Sequence, residues 1–431
     1  MTDAPQLRSG AHPRFRLGEF LFAVVMVFVL TQGPVYTWWT RNAVAWDPFT
    51  DNAILASFMT VYVIAALVLT RRQLLTAVRS PAAVLLGGFV FWLMLSTLWS
   101  VTPGLTFSNS VGLLGVLVCA LWFASRFTFV EQAAAVFAAT SIGVVLSVWA
   151  NLRDWSGTLD ESFRWTGIYL NRNSLAPVAA VGAMAGTILT AHLVSLIVRR
   201  AGHRDGRLML AVALTVGLST LDVVALERSG SRTSLFGLAA AAAAGATAIL
   251  VRRHHGSVRR KATLFVVSLA ATAAVLGAIA IAITRRGGRD LGFSGRGKIW
   301  DLAWNGFLDR PVGGWGFLAA WRDPIFREPM RADWVLDTTI FEAHSGYLEV
   351  LLGGGVVPLL LLAAALFIGA RHVVMNVFSS PNQAAVWPLA LIAFTLTANL
   401  QESFLVGHHF LLLLLFVGLL SGIHHGQGGR E

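Results

Sequence analysis

Four short segments hold the residue types most able to do chemistry. The first is Glu227-Arg228-Ser229-Gly230-Ser231-Arg232-Thr233-Ser234. Arg232 opens an apolar run, where a helix begins and its first backbone N–H groups are unpaired, so guanidinium and helix terminus together can clamp a diphosphate. The second, Ser294-Gly295-Arg296-Gly297-Lys298-Ile299-Trp300, adds another planar fork in Arg296 and an ammonium in Lys298. The third runs from Arg164 to Asn173 and includes Asn171 and Arg172. The fourth is Glu342-Ala343-His344-Ser345-Gly346-Tyr347-Leu348-Glu349. An imidazole is the side chain best placed for general-base work near neutral pH, which makes His344 the candidate base. Ser345 suits a helix N-cap, which accounts for the serine but not for the histidine.

Each of these has a plainer reading. An arginine at a membrane interface can snorkel to a headgroup phosphate, and a lone histidine is commonly structural. The convergence of several arginine-bearing segments on one side of the chain is what favours a binding site. Other chemistries find little support. No His-x-x-x-His or His-Glu-x-x-His spacing is present, and His254-His255 sits in a basic loop. Gly313, Gly314 and Gly316 follow Pro311 without a preceding strand and read as a turn, and no Gly-x-Ser-x-Gly occurs. Cys119 is the single cysteine and lies in an apolar run, so an intramolecular disulfide and a thiolate metal site are excluded. No metal and no cofactor is expected.

The elements that must position these residues are helices in lipid. The 431 residues are 56% hydrophobic and 13% charged, with a mean hydropathy of +0.67, which fits neither a soluble globule nor a disordered chain. Apolar runs of about twenty residues recur, each long enough to cross about 30 Å of hydrocarbon as a helix. Twelve are predicted, near 18–38, 53–70, 80–100, 105–124, 129–150, 174–198, 207–226, 233–251, 262–283, 345–369, 384–400 and 402–420. Arg8, Arg14 and Arg16 precede the first run, but no small-residue cleavage site follows it, so a retained helix is expected.

The net charge of +11 is mostly arginine in short loops, a topology signal rather than a sign of nucleic-acid binding. Placing the N-terminus inside puts Arg71, Arg72 and Arg79 on the cytoplasmic side. Arg199, Arg200, Arg204 and Arg207 fall there too, as do Arg252, Arg253, Arg259, Arg260 and Lys261. The implied organisation is a cytoplasmic N-terminus (1–17), helices 1–9 (18–283), an extracytoplasmic cap loop (284–343), helices 10–12 (344–420) and a cytoplasmic C-terminus (421–431). The cap loop carries eight arginines plus Lys298 against eight acidic residues, so it is not a basic arm. Its length predicts a small folded cap with short helices. Asp222, Glu227, Glu349 and Glu402 fall near the outer ends of spans, and His408 and His409 about a third of the way down the last one. Ion-coupled transporters more often place carboxylates at the midplane, in broken helices of symmetric halves. This distribution predicts instead a chamber open to the outside.

Taken together the motifs resemble those of the O-antigen ligase and O-antigen polymerase superfamily of bacterial integral-membrane glycosyltransferases. The segments that carry the resemblance are Arg164-Trp-Thr-Gly-Ile-Tyr-Leu-Asn-Arg-Asn173, Ser231-Arg232-Thr233, Arg296 with Trp300, Arg310-Pro-Val-Gly-Gly-Trp-Gly316, and His344-Ser-Gly-Tyr-Leu348 followed by Gly353-Gly-Gly355. They extend over roughly residues 160 to 420. The resemblance implies an all-helical fold of the GT-C-like membrane type, with a cap over a cavity on the outer face. It implies that Arg232 and Arg296, with Arg228 beside them, hold the diphosphate of a polyprenyl-linked glycan while His344 serves the acceptor hydroxyl. Arg164, Asn173, Tyr347, Lys298 and Glu402 are the further substrate-contact candidates. The expected activity is metal-independent, inverting transfer of a glycan to a glycan, lipid or protein acceptor, by a ligase or a repeat-unit polymerase. A flippase of lipid-linked glycans could use the same arginines without chemistry. The family often has asparagine after the histidine, where this chain has Ser345.

Overall fold

The computed structural model describes residues 17–33, 52–155, 157–199, 205–271, 296–332, 342–380, 382–407 and 409–424. Among these the fold is helical, with no strand beyond an isolated bridge between Leu159 and Trp165. The helices are α1 (Leu17–Leu30), α2 (Asn52–Val68), α3 (Arg71–Val78), α4 (Pro81–Leu95), α5 (Pro103–Arg126), α6 (Phe129–Leu152), α7 (Arg172–Arg199), α8 (Gly206–Ser229) and α9 (Arg232–Arg252). After α10 (258–271) come α11 (Arg296–Asp309), α12 (Pro324–Ala332), α13 (Gly346–Gly354), α14 (Val356–Ser379), α15 (Trp387–Ala398) and α16 (Phe410–His424).

Seven of the described helices are long and apolar enough to cross a membrane, or eight if the pair bent by 93° between α2 and α3 counts as one span. Shorter apolar helices occupy the first and the last two expected spans, over Leu17–Leu30, Gln383–Ala398 and Phe410–Ser421. The ninth expected span is helical over its described part, to residue 271, and its remainder lies outside the described residues. The termini and residues 284–295 and 333–341 of the loop also lie outside them.

The sequence explains the breaks. Ser80 and Thr128 cap α4 and α6 by accepting from Ala83 and Glu131 backbone N–H groups, and Thr70 and Thr128 each form a capping box with the residue three positions on. The axis of the bundle is α16, buried at every position from 410 to 421 and packed against α5, α14 and α15. One side is built by α6, α7 and α8, and α9 packs along α15.

At one end of the bundle, α11, α12 and the single turn Ala320–Arg322 gather a separate small apolar cluster, with Ile299, Ala303, Trp315, Trp321, Phe326 and Leu352 at its centre. This is the described part of the expected cap. It is joined to the bundle by two glycine segments lying backbone to backbone. Trp315 N–H donates to Leu352 O at 2.9 Å, Gly316 N–H to Gly353 O at 3.0 Å, and Val356 N–H to Pro311 O at 2.8 Å. The Gly-Gly-Trp-Gly segment is thus a docking turn, as its sequence suggests. Gly355 has φ +75° and ψ −162°, a region open essentially to glycine alone, and a Cβ there would collide with Val312 O. Gly355→Ala is therefore expected to cost about 1–3 kcal/mol and to lower the thermal midpoint of the purified chain. An unchanged midpoint would show that the cap does not depend on this contact.

Candidate functional site

Four backbone segments meet beneath the cap, and each brings one or two polar side chains to a common centre. α7 begins at Arg172 and contributes Asn173 from its first turn. α11 begins on Arg296 itself. The loop between α15 and α16 contributes Gln401 and Glu402, and the connection entering α13 contributes Glu342 and His344.

Glu402 is the hub. Its Oε1 accepts from Arg296 Nη2 at 2.8 Å and from Asn173 Nδ2 at 3.0 Å, and its Oε2 lies 3.5 Å from His344 Nδ1. Arg296 also donates through Nη1 to Gln401 O, so its fork holds two neighbouring residues at once. Gln401 Oε1 in turn accepts from Thr233 Oγ1 at 3.1 Å, which ties the start of α9, and with it Arg232, to the same loop. The side chains of Arg296 and Glu402 are 16% and 6% exposed, so this pair is largely withdrawn from water.

His344 lies 3.2 Å from Glu342 Oε1 through the same Nδ1 that faces Glu402. These are ion-pair approaches, since neither has the alignment of a full hydrogen bond. Burial works against a charged imidazole, but the contact and charge of Glu342 and then of Glu402 outweigh it and raise the His344 pKa to about 10. Burial likewise works against an ionised Glu342, yet His344 and, beyond it, Arg296 hold that carboxyl below its ordinary value. At neutral pH the resting site is therefore an imidazolium set between two carboxylates, one of which is also paired with a guanidinium.

The backbone at His344 has φ +50°, in the left-handed region that non-glycine residues seldom occupy. Flanking contacts fix it there. Ala343 N–H donates to the Glu349 carboxylate, which also accepts from Trp321 Nε1 at 2.9 Å, and Trp300 Nε1 donates to Ala343 O at 3.0 Å. Beyond it, Gly346 N–H donates to Glu402 O at 2.9 Å and to Asn399 O at 3.1 Å. A strained residue over-determined by its surroundings in this way is a common mark of a functional position.

Arg164, Arg228, Arg232 and Lys298 are all exposed. Arg164 lies alongside Gly230 in the turn between α8 and α9, and Trp165 N–H donates to Arg228 O at 3.1 Å, so the 157–171 loop is seated on that turn. Arg228 pairs with its neighbour Glu227 at 3.5 Å, both well exposed, a contact of little energetic weight. The Tyr347 hydroxyl donates to Leu396 O at 2.8 Å and braces α13 against α15. His409 is also structural: it stacks on Phe404, and its Nδ1 accepts from Leu411 N–H at 3.2 Å at the start of α16. The last helix begins at Phe410, not near 402, so Glu402 and His409 belong to the preceding loop. His408 lies outside the described residues.

Two members of the centre were not singled out from sequence. Glu342 was visible as a carboxylate two residues before the histidine. Gln401 had no local signal, since its role lies in its backbone carbonyl and in long-range contacts. Ligand atoms of Glu342, His344 and Glu402 lie within 4.8 Å of one another, close enough to share a cation. The Arg296 guanidinium already on Glu402 and the proton on His344 both oppose a divalent ion there.

Residues 214–363 match the model of the O-antigen ligase family. That segment contains Arg228, Arg232, Arg296, Lys298, Glu342, His344 and Tyr347, while Arg164, Asn173, Gln401 and Glu402 lie outside it. No curated protein matches the chain in sequence.

Proposed function

We propose that this chain, which carries an O-antigen ligase domain over residues 214–363, transfers a glycan from a polyprenyl-diphosphate carrier to an acceptor hydroxyl at the outer face of the cytoplasmic membrane. The twelve-span topology, with both termini cytoplasmic and the cap outside, belongs to the same reading, as does a place in cell-envelope polysaccharide assembly. What carries it is the meeting of Arg296, Glu402, Asn173 and His344 at one end of an apolar bundle. A diphosphate needs planar, multivalent cationic donors, and a sugar acceptor needs a proton taken from its hydroxyl.

In this reading the diphosphate leaving group lies between Arg296, Arg232 and Arg228, with the helix starts at Arg232 and Arg296 adding backbone N–H groups. Bond cleavage at C1 places negative charge on the leaving phosphate, and fixed guanidinium groups stabilise that charge in place of a metal ion. The acceptor hydroxyl attacks C1 from the opposite face, which inverts the anomeric centre, and its proton passes to His344 in its neutral imidazole form. Glu402 holds both cationic groups in place before the donor arrives, and Glu342 sets the basicity of His344. Arg164, Lys298 and Asn173 face the glycan or its acceptor.

Purified chain given a polyprenyl-diphosphate glycan and candidate acceptors is expected to release polyprenyl diphosphate at a rate that a chelator leaves unchanged. Loss of the rate on chelation would replace arginine by a metal at the Glu342, His344 and Glu402 cluster. Movement of intact donor between leaflets without release would establish the flippase reading instead. Growth of the product by repeat units would separate a polymerase from a ligase.

A further inference from the structure

Among the described residues, Asp222 is a buried carboxylate inside the bundle that the transfer site does not use. Asp222 lies in α8, seven residues before its end at Ser229, hence about 10 Å below the turn that carries Arg232. It is fully buried, and neither carboxylate oxygen has a hydrogen-bond partner. A charge in such a place is costly, so an intramembrane carboxylate without a protein partner calls for a ligand.

Its surroundings have one polarity. The site lies where α6, α7 and α8 approach one another at Gly182, whose missing side chain makes the space: a Cβ there would stand 2.6 Å from Asp222 Oδ2 and 2.9 Å from Thr140 Oγ1. Thr140 has spent its hydrogen on Val136 O at 2.9 Å, and Ser219, one turn away on α8, donates to Thr215 O at 2.7 Å. Thr140 therefore turns lone pairs, not a proton, toward the carboxylate. The buried Tyr169 hydroxyl, beside Thr31, is close enough for the charge of Asp222 to act on it. Among the described residues, the charged groups of these three helices stand toward the helix ends, the nearest in sequence being Glu227. Oxygen acceptors facing a buried carboxylate, with no cationic side chain among them, are what a small hard cation requires.

We propose that Asp222 and Thr140 form a buried site for a small monovalent cation, a proton or Na+, in the α6–α7–α8 core. The inference does not rest on the transfer reaction. Its test uses the full chain in lipid nanodiscs, wild type and Asp222→Asn, whose amide can donate to Thr140 and so keep the fold; matched thermal midpoints confirm that both fold. A sodium site gives saturable binding of radiolabelled sodium that acid displaces, and the signal falls to background in Asp222→Asn. A proton site gives no sodium binding but an infrared C=O band of a protonated carboxyl that rises and falls with pH, and that is missing in the variant. Absence of sodium binding together with absence of a pH-dependent carboxyl band assignable to Asp222 would overturn the proposal.

Discussion

Replacing Arg296 by alanine is expected to lower kcat/KM for a polyprenyl-diphosphate donor by about 10²–10³, the usual cost of one preorganised donor to a developing anion. Lysine should be nearly as damaging. The guanidinium donates through two separate nitrogens, to Glu402 Oε1 and to Gln401 O, and an ammonium on a flexible stem cannot span both. Removing Arg296 also strips a buried carboxylate of its counter-charge, and breaking such a pair costs about 3–5 kcal/mol when nothing replaces it. Asn173 remains as one donor to Glu402. Loss of activity could therefore follow from local collapse alone, and the double variant Arg296→Ala/Glu402→Gln separates the two effects. It should recover the thermal midpoint of the parent and leave turnover low. Wild-type turnover in any folded variant lacking Arg296 would remove the arginine from the transfer step.

The features legible in sequence were those written in local pattern. Apolar runs located the long helices α4 to α9, because lipid demands an uninterrupted run and leaves few alternatives, but the run expected over 345–369 is divided at Gly355 between the short α13 and the longer α14. The glycine segment at 313–316 reads correctly as a turn, whereas the apolar pattern carries 353–355 through one continuous span and only the fold shows a break at Gly355 and the pairing of the two segments. Arg296 and His344 were legible as chemistry-bearing types, and the family match over 214–363 encloses both. What was not legible is the pairing at the hub, although Glu402 and Asn173 were each candidates by type. Glu402 is 106 residues from Arg296 and 229 from Asn173 along the chain, and pairing over such distances leaves no periodic trace. The start of the last helix was misplaced for a related reason. The stretch from Glu402 to Gly407 contains enough apolar residues to extend the run, yet it is folded as a loop, with Leu405 N–H donating to Asn399 Oδ1 at 2.8 Å and Gly407 at φ +77°. The contact of the Tyr347 hydroxyl with Leu396 O, 49 residues away, is likewise visible only in the fold.

The same pairing makes the second large effect a matter of pH as well as of residue identity. His344→Ala is expected to lower the transfer rate by about 10²–10⁴ while donor affinity changes little, since a general base acts on the acceptor's proton and not on the diphosphate. For the intact site, a pKa raised to about 10 by Glu342 and Glu402 leaves only a small neutral fraction near pH 7. The rate should then climb with pH toward that value, because the neutral imidazole is the active form. Glu342→Gln removes the closer carboxylate, so the His344 pKa falls and the rising limb must move to lower pH, which increases the rate at neutrality. The two carboxylates also fix a sign for stability. A histidine whose pKa is raised on folding stabilises the fold at low pH, and that contribution fades between its ordinary value of about 6.5 and the folded value. Wild type should therefore lose thermal stability over that window more steeply than His344→Gln, which carries no charge to lose. A profile that is flat in wild type and unmoved by Glu342→Gln, with His344→Ala still active, would transfer the role of proton acceptor from the imidazole to Glu342 itself.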